Sequence, residues 1–285
     1  MKARASCFGA GTIVNAIAAG RGMAFGLALR VNATAEAMPD AEGVHVRVPD
    51  AVDPTLAHNA ATRVLRRSRR KSGLEVSLES EIPISRGLKS SSAVANAVVL
   101  ASARALSLDL EPLQMIEIGV DAAFDAGVTI TGAFDDACAS FFGGIVGADN
   151  RARKIVLSDR FPEGLVAAVH VPRRAITKQS LKRTDFSPIR GTVEEAFQLA
   201  LKGDYFRALE MNSAAYASVL GIDETPAMRA RAAGAVASGI SGAGPSIVAL
   251  VKPARADAVV KAMDDGEAEV RVVVLNTIES REVVL

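Results

Sequence analysis

Three short segments of this 285-residue chain carry groups suited to holding an anion or moving a proton. The first is Pro83-Ile84-Ser85-Arg86-Gly87-Leu88-Lys89-Ser90-Ser91-Ser92-Ala93, a loop rich in glycine and hydroxyls. An apolar run without proline or glycine follows from Ala93 to Leu106 and reads as a helix whose first turn the serines cap. A helix start offers unpaired N–H groups and the positive end of the macrodipole, so this loop is suited to cradle a phosphate. Gly87 lets the backbone come close to such an anion. The second segment, Ser238-Gly239-Ile240-Ser241-Gly242-Ala243-Gly244-Pro245-Ser246, has glycines spaced to turn N–H groups inward as an anion-binding nest. The third is Asp135-Asp136, followed by Gly143-Gly144, and supplies carboxylates that can take a proton or hold a divalent cation. Each has a plainer reading when taken alone: a capped helix, a tight connection, and two solvated loop acids.

The elements that must position these segments follow from hydrophobic period. Leu74, Val76, Leu78 and Ile82 alternate with Glu75, Ser77, Glu79 and Glu81, which predicts a half-buried strand leading into the first loop. Earlier come the glycine-rich segment Cys7 to Leu29, a strand at Val44 to Val48 and a helix from Pro54 to Lys71. Pro112 opens a further helix that runs to about Ala126. The second half reads as a strand from Leu165 to Val171, then helices over 193–201, 204–220 and 225–236. A strand at Ile247 to Val251, a helix at Ala254 to Met263 and a strand at Val270 to Leu275 complete it. The second glycine turn then joins a helix ending near Ala237 to a strand. The pattern predicts an α+β fold with helices on mostly antiparallel sheet. The polar stretch Ala148 to Lys154 suggests a boundary between domains at 1–150 and 151–285.

A net charge of +1 gives no global field toward nucleic acid or an anionic membrane. With aromatics at 4% and no Trp, base-stacking platforms are scarce as well, so no nucleic-acid partner is expected. Cys7 and Cys138 lie far apart and in no Cys-x-x-Cys pair, which indicates neither a disulfide framework nor a zinc site. No apolar run reaches membrane-spanning length, so no membrane partner is expected. Ser6, Gly9, Gly11, Thr12 and Asn15 interrupt what would be a signal-peptide core. The expected location is the cytoplasm.

The first loop fits neither the Walker A nor the G-x-G-x-x-G pattern. It resembles the second motif, P-x-x-x-G-L-G-S-S-A, of the galactokinase, homoserine kinase, mevalonate kinase and phosphomevalonate kinase (GHMP) superfamily. The match falls at Pro83, Gly87, Leu88, Ser90 and Ser91, with departures at Lys89, where the family has glycine, and Ser92. Gly-Leu-Lys-Ser-Ser-Ser-Ala at 87–93 is similar to the archaeal-type shikimate kinases, a branch of that superfamily. The second glycine turn resembles the superfamily's third motif. The resemblance implies a two-domain fold with an N-terminal ribosomal-protein-S5-domain-2-like α/β domain and a C-terminal ferredoxin-like α+β domain. It also implies transfer of the γ-phosphoryl of ATP, with Mg²⁺, to the 3-hydroxyl of shikimate.

Residue by residue, the resemblance assigns the nucleotide to Pro83 through Ala93 and to Ser241, Gly242, Ala243 and Gly244. The family's acidic residue falls on Asp135 by homoserine kinase spacing and on Asp136 when counted back from Gly143-Gly144 as in mevalonate kinase; Asp135 is preferred. For the metal it points to Ser91 and to Asp125, which stands ten positions before Asp135 where the family has glutamate. Asp121 lies one turn earlier, and an exposed helix face is the alternative for both. Gly11-Thr12-Ile13-Val14-Asn15-Ala16-Ile17 resembles a segment that would bring Thr12 and Asn15 to the substrate. An anionic substrate needs a cation for its carboxylate, and the stretch Pro172 to Arg183, with Lys178, is a candidate. The expected partners are ATP and a small molecule. Homoserine kinase is the near rival, and a nucleotide-binding regulator without catalysis is the rival from another class.

Overall fold

The computed structural model describes residues 1–49, 52–176 and 178–285, with the side chains at 178–179 and 282–284 outside the described set. The chain opens with two long antiparallel strands, β1 (Lys2–Val14) and β2 (Arg21–Met38). From Cys7 to Val14 every residue of β1 is buried, so its two faces show no contrast and the segment lacks the alternation that marks a strand. Next come β3 (Val44–Arg47), α1 (Thr55–Ser68), β4 (Gly73–Ser80), α2 (Ser90–Ala105), α3 (Pro112–Asp125) and α4 (Phe134–Phe142). The hairpin β5 (Ile145–Asp149) and β6 (Lys154–Asp159) follows. The second half runs β7 (Val166–Pro172), α5 (Lys178–Lys182), α6 (Arg190–Leu201), α7 (Tyr205–Leu220), α8 (Thr225–Ala232), β8 (Ala237–Ile240), β9 (Ile247–Val251), α9 (Ala256–Met263), β10 (Ala268–Val273) and β11 (Arg281–Val284).

The strands form two sheets. The first has the order β11-β1-β2-β4-β3, with β5 paired to the beginning of β2 and β6 to β5. The second has the order β10-β7-β9-β8 and is antiparallel throughout. Its chain order, strand, helices, strand, strand, helix, strand, is the ferredoxin-like β-α-β-β-α-β arrangement. Only β3 and β4 pair in parallel among the described strands.

Three expectations from sequence are corrected. Residues 148–154 lie at the tip of the β5–β6 hairpin inside the first sheet, with the turn at 150–153, so the sheet changes only after Asp159, and β11 returns to the first sheet at the end. The helix expected over 225–236 stops at Ala232, and Ala237–Ile240 is a strand; helix-favouring alanines yield there to pairing with β9. The second glycine turn therefore joins two antiparallel strands. The serines do not cap α2 but form its first turn, Ser90–Ser92, after Lys89 in the left-handed conformation.

Helix α2 is the axis of the first half. It lies on β1 and β2 and packs against α1, α3 and α4, and its alanines at 93, 95, 97, 101, 103 and 105 are all buried. Small side chains let these helices approach closely, as where Gly119 of α3 faces Ala95. Among the described residues no helix is long and apolar enough to cross a membrane.

Candidate active site

The strand β4 delivers residues 83–89 to the edge of the second sheet, where they meet the glycine turn between β8 and β9. Ser241 Oγ donates to Gly87 O at 2.8 Å, and Ser246 N–H donates to Arg86 O at 3.2 Å. Gly87 has φ +84°, and a Cβ there would collide with Ser241 O, so both conformation and contact require glycine. Gly242 N–H donates to Thr12 Oγ1 at 2.7 Å, which ties the turn to β1. Segments some 230 residues apart are thus fastened into one wall.

A cleft of about 830 Å³, open to solvent, runs along this wall. Ser85, Gly87, Lys89, Ser90, Ser91 and Ser92 line one side and Gly242, Ala243 and Gly244 another. Ala95, Val120, Ala123 and Val128 make its apolar floor, and Ile176 and Leu181 reach it from the α5 segment. Ala93 N–H already bonds to Lys89 O, but the N–H groups of Ser90, Ser91 and Ser92 have no intrahelical acceptor and no side-chain cap. A helix start of this kind at the cleft wall is suited to bind an anion. The rest of the first motif does other work. Arg86 donates to Pro172 O and Arg173 O, Leu88 and Ala93 are in the core, and Pro83 and Ile84 line an outer groove.

A smaller cavity of about 400 Å³ adjoins the cleft, lined by Asn15, Ala16, Ile17, Thr131 and Asp135 among others. Lys89, Thr129, Ala133, Asp136, Gly242 and Ala243 line both spaces. The segment 15–18 is held by α7: Asn15 N–H donates to Asn212 Oδ1, Tyr216 Oη donates to Asn15 O, and Ala18 N–H donates to Tyr216 Oη. Thr12 is buried, with its hydroxyl given to Gly242. The side chain of Lys178 lies outside the described residues.

The acids Asp135 and Asp136 occupy the first turn of α4, where the macrodipole favours negative charge. Asp135 is 2% exposed. Asn150 grips it twice, donating Nδ2–H to Asp135 Oδ1 at 2.7 Å and accepting Asp135 N–H at 3.0 Å. A Cβ on Gly22 would strike the Asp135 carboxylate, so the glycine in β2 makes room for it. Burial, and next the charge of Asp136, push the Asp135 carboxyl up to about 7, against the opposing pull of Lys89 and Asn150. Asp136 pairs with Lys89 Nζ at 2.9 Å, with side chains only 15% and 9% exposed. Lys89 sits at φ +63°, a left-handed conformation costing a non-glycine residue roughly 1–2 kcal/mol. Ser85 and Ala133, also lining the cleft, have positive φ too. Such strain gathers where the surroundings over-determine a functional geometry.

Asp125 is not brought to the cleft. It lies at the exposed end of α3, where Arg63 Nη2 and Nε hold Oδ2 at 2.7 and 2.8 Å. Asp121 is held by Arg63 and by Arg153 Nη2. Among the described residues no group of three or more His, Cys, Asp or Glu side chains is placed to hold a metal. A nucleotide-borne Mg²⁺ needs few protein ligands, and the hydroxyl of Ser91 on the cleft wall fits that demand. Asn150 escapes a reading of the sequence because its polar neighbourhood looks like a linker. Gly22 and Asn96, whose Nδ2–H donates to Ala137 O and ties α2 to α4, carry no local signal either.

A free helix start on the cleft, an aspartate pair beside it and a two-sheet frame suit a small-molecule kinase, and comparisons with known proteins agree. The model of the GHMP kinases N terminal domain matches residues 55–144 and that of the GHMP kinases C terminal domain residues 197–267. The chain belongs to the GHMP kinase family. It is similar to shikimate kinases of Methanocella arvoryzae, 41% identical over 88% of this chain and 85% of that one, and of Pyrococcus furiosus, 41% identical over 89% and 93%. Among solved structures it shares its fold with homoserine kinase from Cytophaga hutchinsonii, at a TM-score of 0.77, 20% identity and coverage of 98% and 97%. Methanococcus jannaschii mevalonate kinase matches at 0.76, 12%, and coverage of 96% and 98%.

Proposed function

We propose that this protein is a shikimate kinase, transferring the γ-phosphoryl of ATP to the 3-hydroxyl of shikimate. The observation that carries the reading is the wall shared by cleft and cavity, which would set a phosphoryl group at the start of α2 next to a hydroxyl held beside Asp135 and Asp136. The acceptor is proposed from the shikimate kinases that share about 40% of their residues with this chain over most of its length.

In this reading the N–H groups at the start of α2 and the glycine turn bind the phosphates, and the apolar floor takes the base. The Ser91 hydroxyl would help hold a nucleotide-borne Mg²⁺, which would supply screening of the phosphate charge. Asp125 has no part in this. Asp135 accepts the proton of the attacking hydroxyl, whose oxygen forms the new P–O bond as the bond to the ADP oxygen breaks and ADP leaves with the electron pair. A carboxyl pushed up to about 7 is matched to that task near neutral pH. Asn15 and its neighbours bound the acceptor space, and Thr12 acts indirectly by fixing Gly242.

An ADP-release assay with shikimate, homoserine, mevalonate and galactose tests this. Turnover dependent on shikimate alone is expected. Turnover only with another acceptor overturns the substrate assignment, and nucleotide binding without turnover on any acceptor favours the regulator.

A further inference from the structure

Lys89 occupies a position whose backbone favours glycine, and it points its charge into the site. Its backbone is left-handed at φ +63°, ψ +31°. The ammonium is nearly enclosed, lies beside Gly242 of the phosphate turn, and lines both the nucleotide cleft and the smaller cavity. Asp136 Oδ1 engages one of its three donors. A solvated loop lysine would be neither enclosed nor tethered.

We propose that Lys89 is a catalytic cation that contacts the phosphoryl group while it passes from ADP to the acceptor oxygen. The proposal rests on the phosphotransfer reading above. Charge in such a transition state spreads over the three equatorial oxygens of the transferring group, and a fixed cation in an enclosed site acts on it without reorganisation. Asp136 aims the ammonium at the boundary between the two spaces. The other role open to Lys89 is to keep Asp135 ionised, since it holds that carboxyl down against burial and Asp136. The two roles differ in their pH dependence. A variant that has merely lost the counter-charge regains activity once the pH passes the raised value of Asp135, whereas loss of a phosphoryl contact persists at any pH.

The test uses Lys89→Met, Lys89→Arg and Lys89→Gly in the full chain, with kcat and KM for ATP and shikimate measured from pH 6 to 9.5 and ADP affinity measured at equilibrium. Lys89→Gly relaxes the left-handed backbone, which offsets part of the cost of losing the ion pair to Asp136, so a folded variant with its Tm measured separates chemistry from folding. For Met and Gly the expected result is a kcat loss of about 100-fold or more across the pH range. Both KM values and the ADP affinity should stay within about 5-fold, and Arg should restore part of kcat. Recovery of kcat in Lys89→Met above pH 8.5, or a loss confined to KM for ATP, overturns the proposal. Wild-type inactivity toward every acceptor instead sinks the phosphotransfer reading on which it rests.

Discussion

Two pairs of aspartates ten to fifteen residues apart in sequence have opposite surroundings. Asp121 and Asp125, at the end of α3, face solvent and are held by the guanidinium forks of Arg63 and Arg153. In the first turn of α4, Asp135 is closed off from solvent and held by the Asn150 amide, and the half-buried Asp136 beside it pairs with Lys89. An arginine fork on an exposed helix end gives a charge-balanced strap that water screens. An enclosed carboxylate is costly to ionise, which readies it to take up a proton. Residue type is the same; access to water and the shape of the partner divide the roles.

The largest expected break in this contrast is Asp135→Asn. It should lower kcat by about 10²- to 10⁴-fold with nucleotide affinity retained, as seen by comparing turnover with ADP binding. An unchanged kcat would move the proton to Asp136. Next, Asn150→Leu removes a hydrogen bond that favours the ionised carboxyl, so the acid limb of the rate profile should move to higher pH. A rise of about one pKa unit from about 7 should lower activity at pH 7 about five-fold.

The same burial sets a stability signature. With its folded value raised above the unfolded one, Asp135 supports folding most fully below about pH 4, and this contribution is lost as pH rises through about 7. Asp135→Asn should therefore raise Tm by several degrees at pH 8 and hardly at all at pH 4, measured by thermal unfolding across pH. The smallest effect belongs to the exposed pair. Asp125→Asn should leave kcat and the Mg²⁺ dependence of turnover unchanged and cost at most about 1 kcal/mol of stability, readable from denaturant midpoints.

What could be read ahead of the structure follows the same division between local and distant partners. The helix start after residues 83–89 and the turn at 241–244 were legible as local structure because helix starts and tight turns are written in consecutive residues, and β4, α1 and α3 because one face of each meets water. The stretches 7–14 of β1 and 22–27 of β2 were not, since cover on both faces removes the alternation that marks a strand, whereas Leu29, Val31, Ala33 and Ala35 of β2 alternate with more exposed residues and carry a strand signal that went unread. β8 was hidden because alanines at 232, 233, 235 and 237 favour helix and only pairing with β9 overrides them. Within the site, Asp135 was visible as an acid, but its partners Asn150 and Gly22 lie on other strands. The engagement of Asp125 with Arg63 depends on α1 packing beside α3, which no local pattern encodes.

The pH dependence of kcat/KM for shikimate, in wild type and in Asp135→Asn, bears most directly on the claim that burial has turned Asp135 into the proton acceptor. The account predicts an acid limb in wild type near pH 7, above the ordinary carboxylate range, and no such limb in the residual activity of the variant. A wild-type limb at about pH 4, or one near 7 that survives in Asp135→Asn, would contradict it.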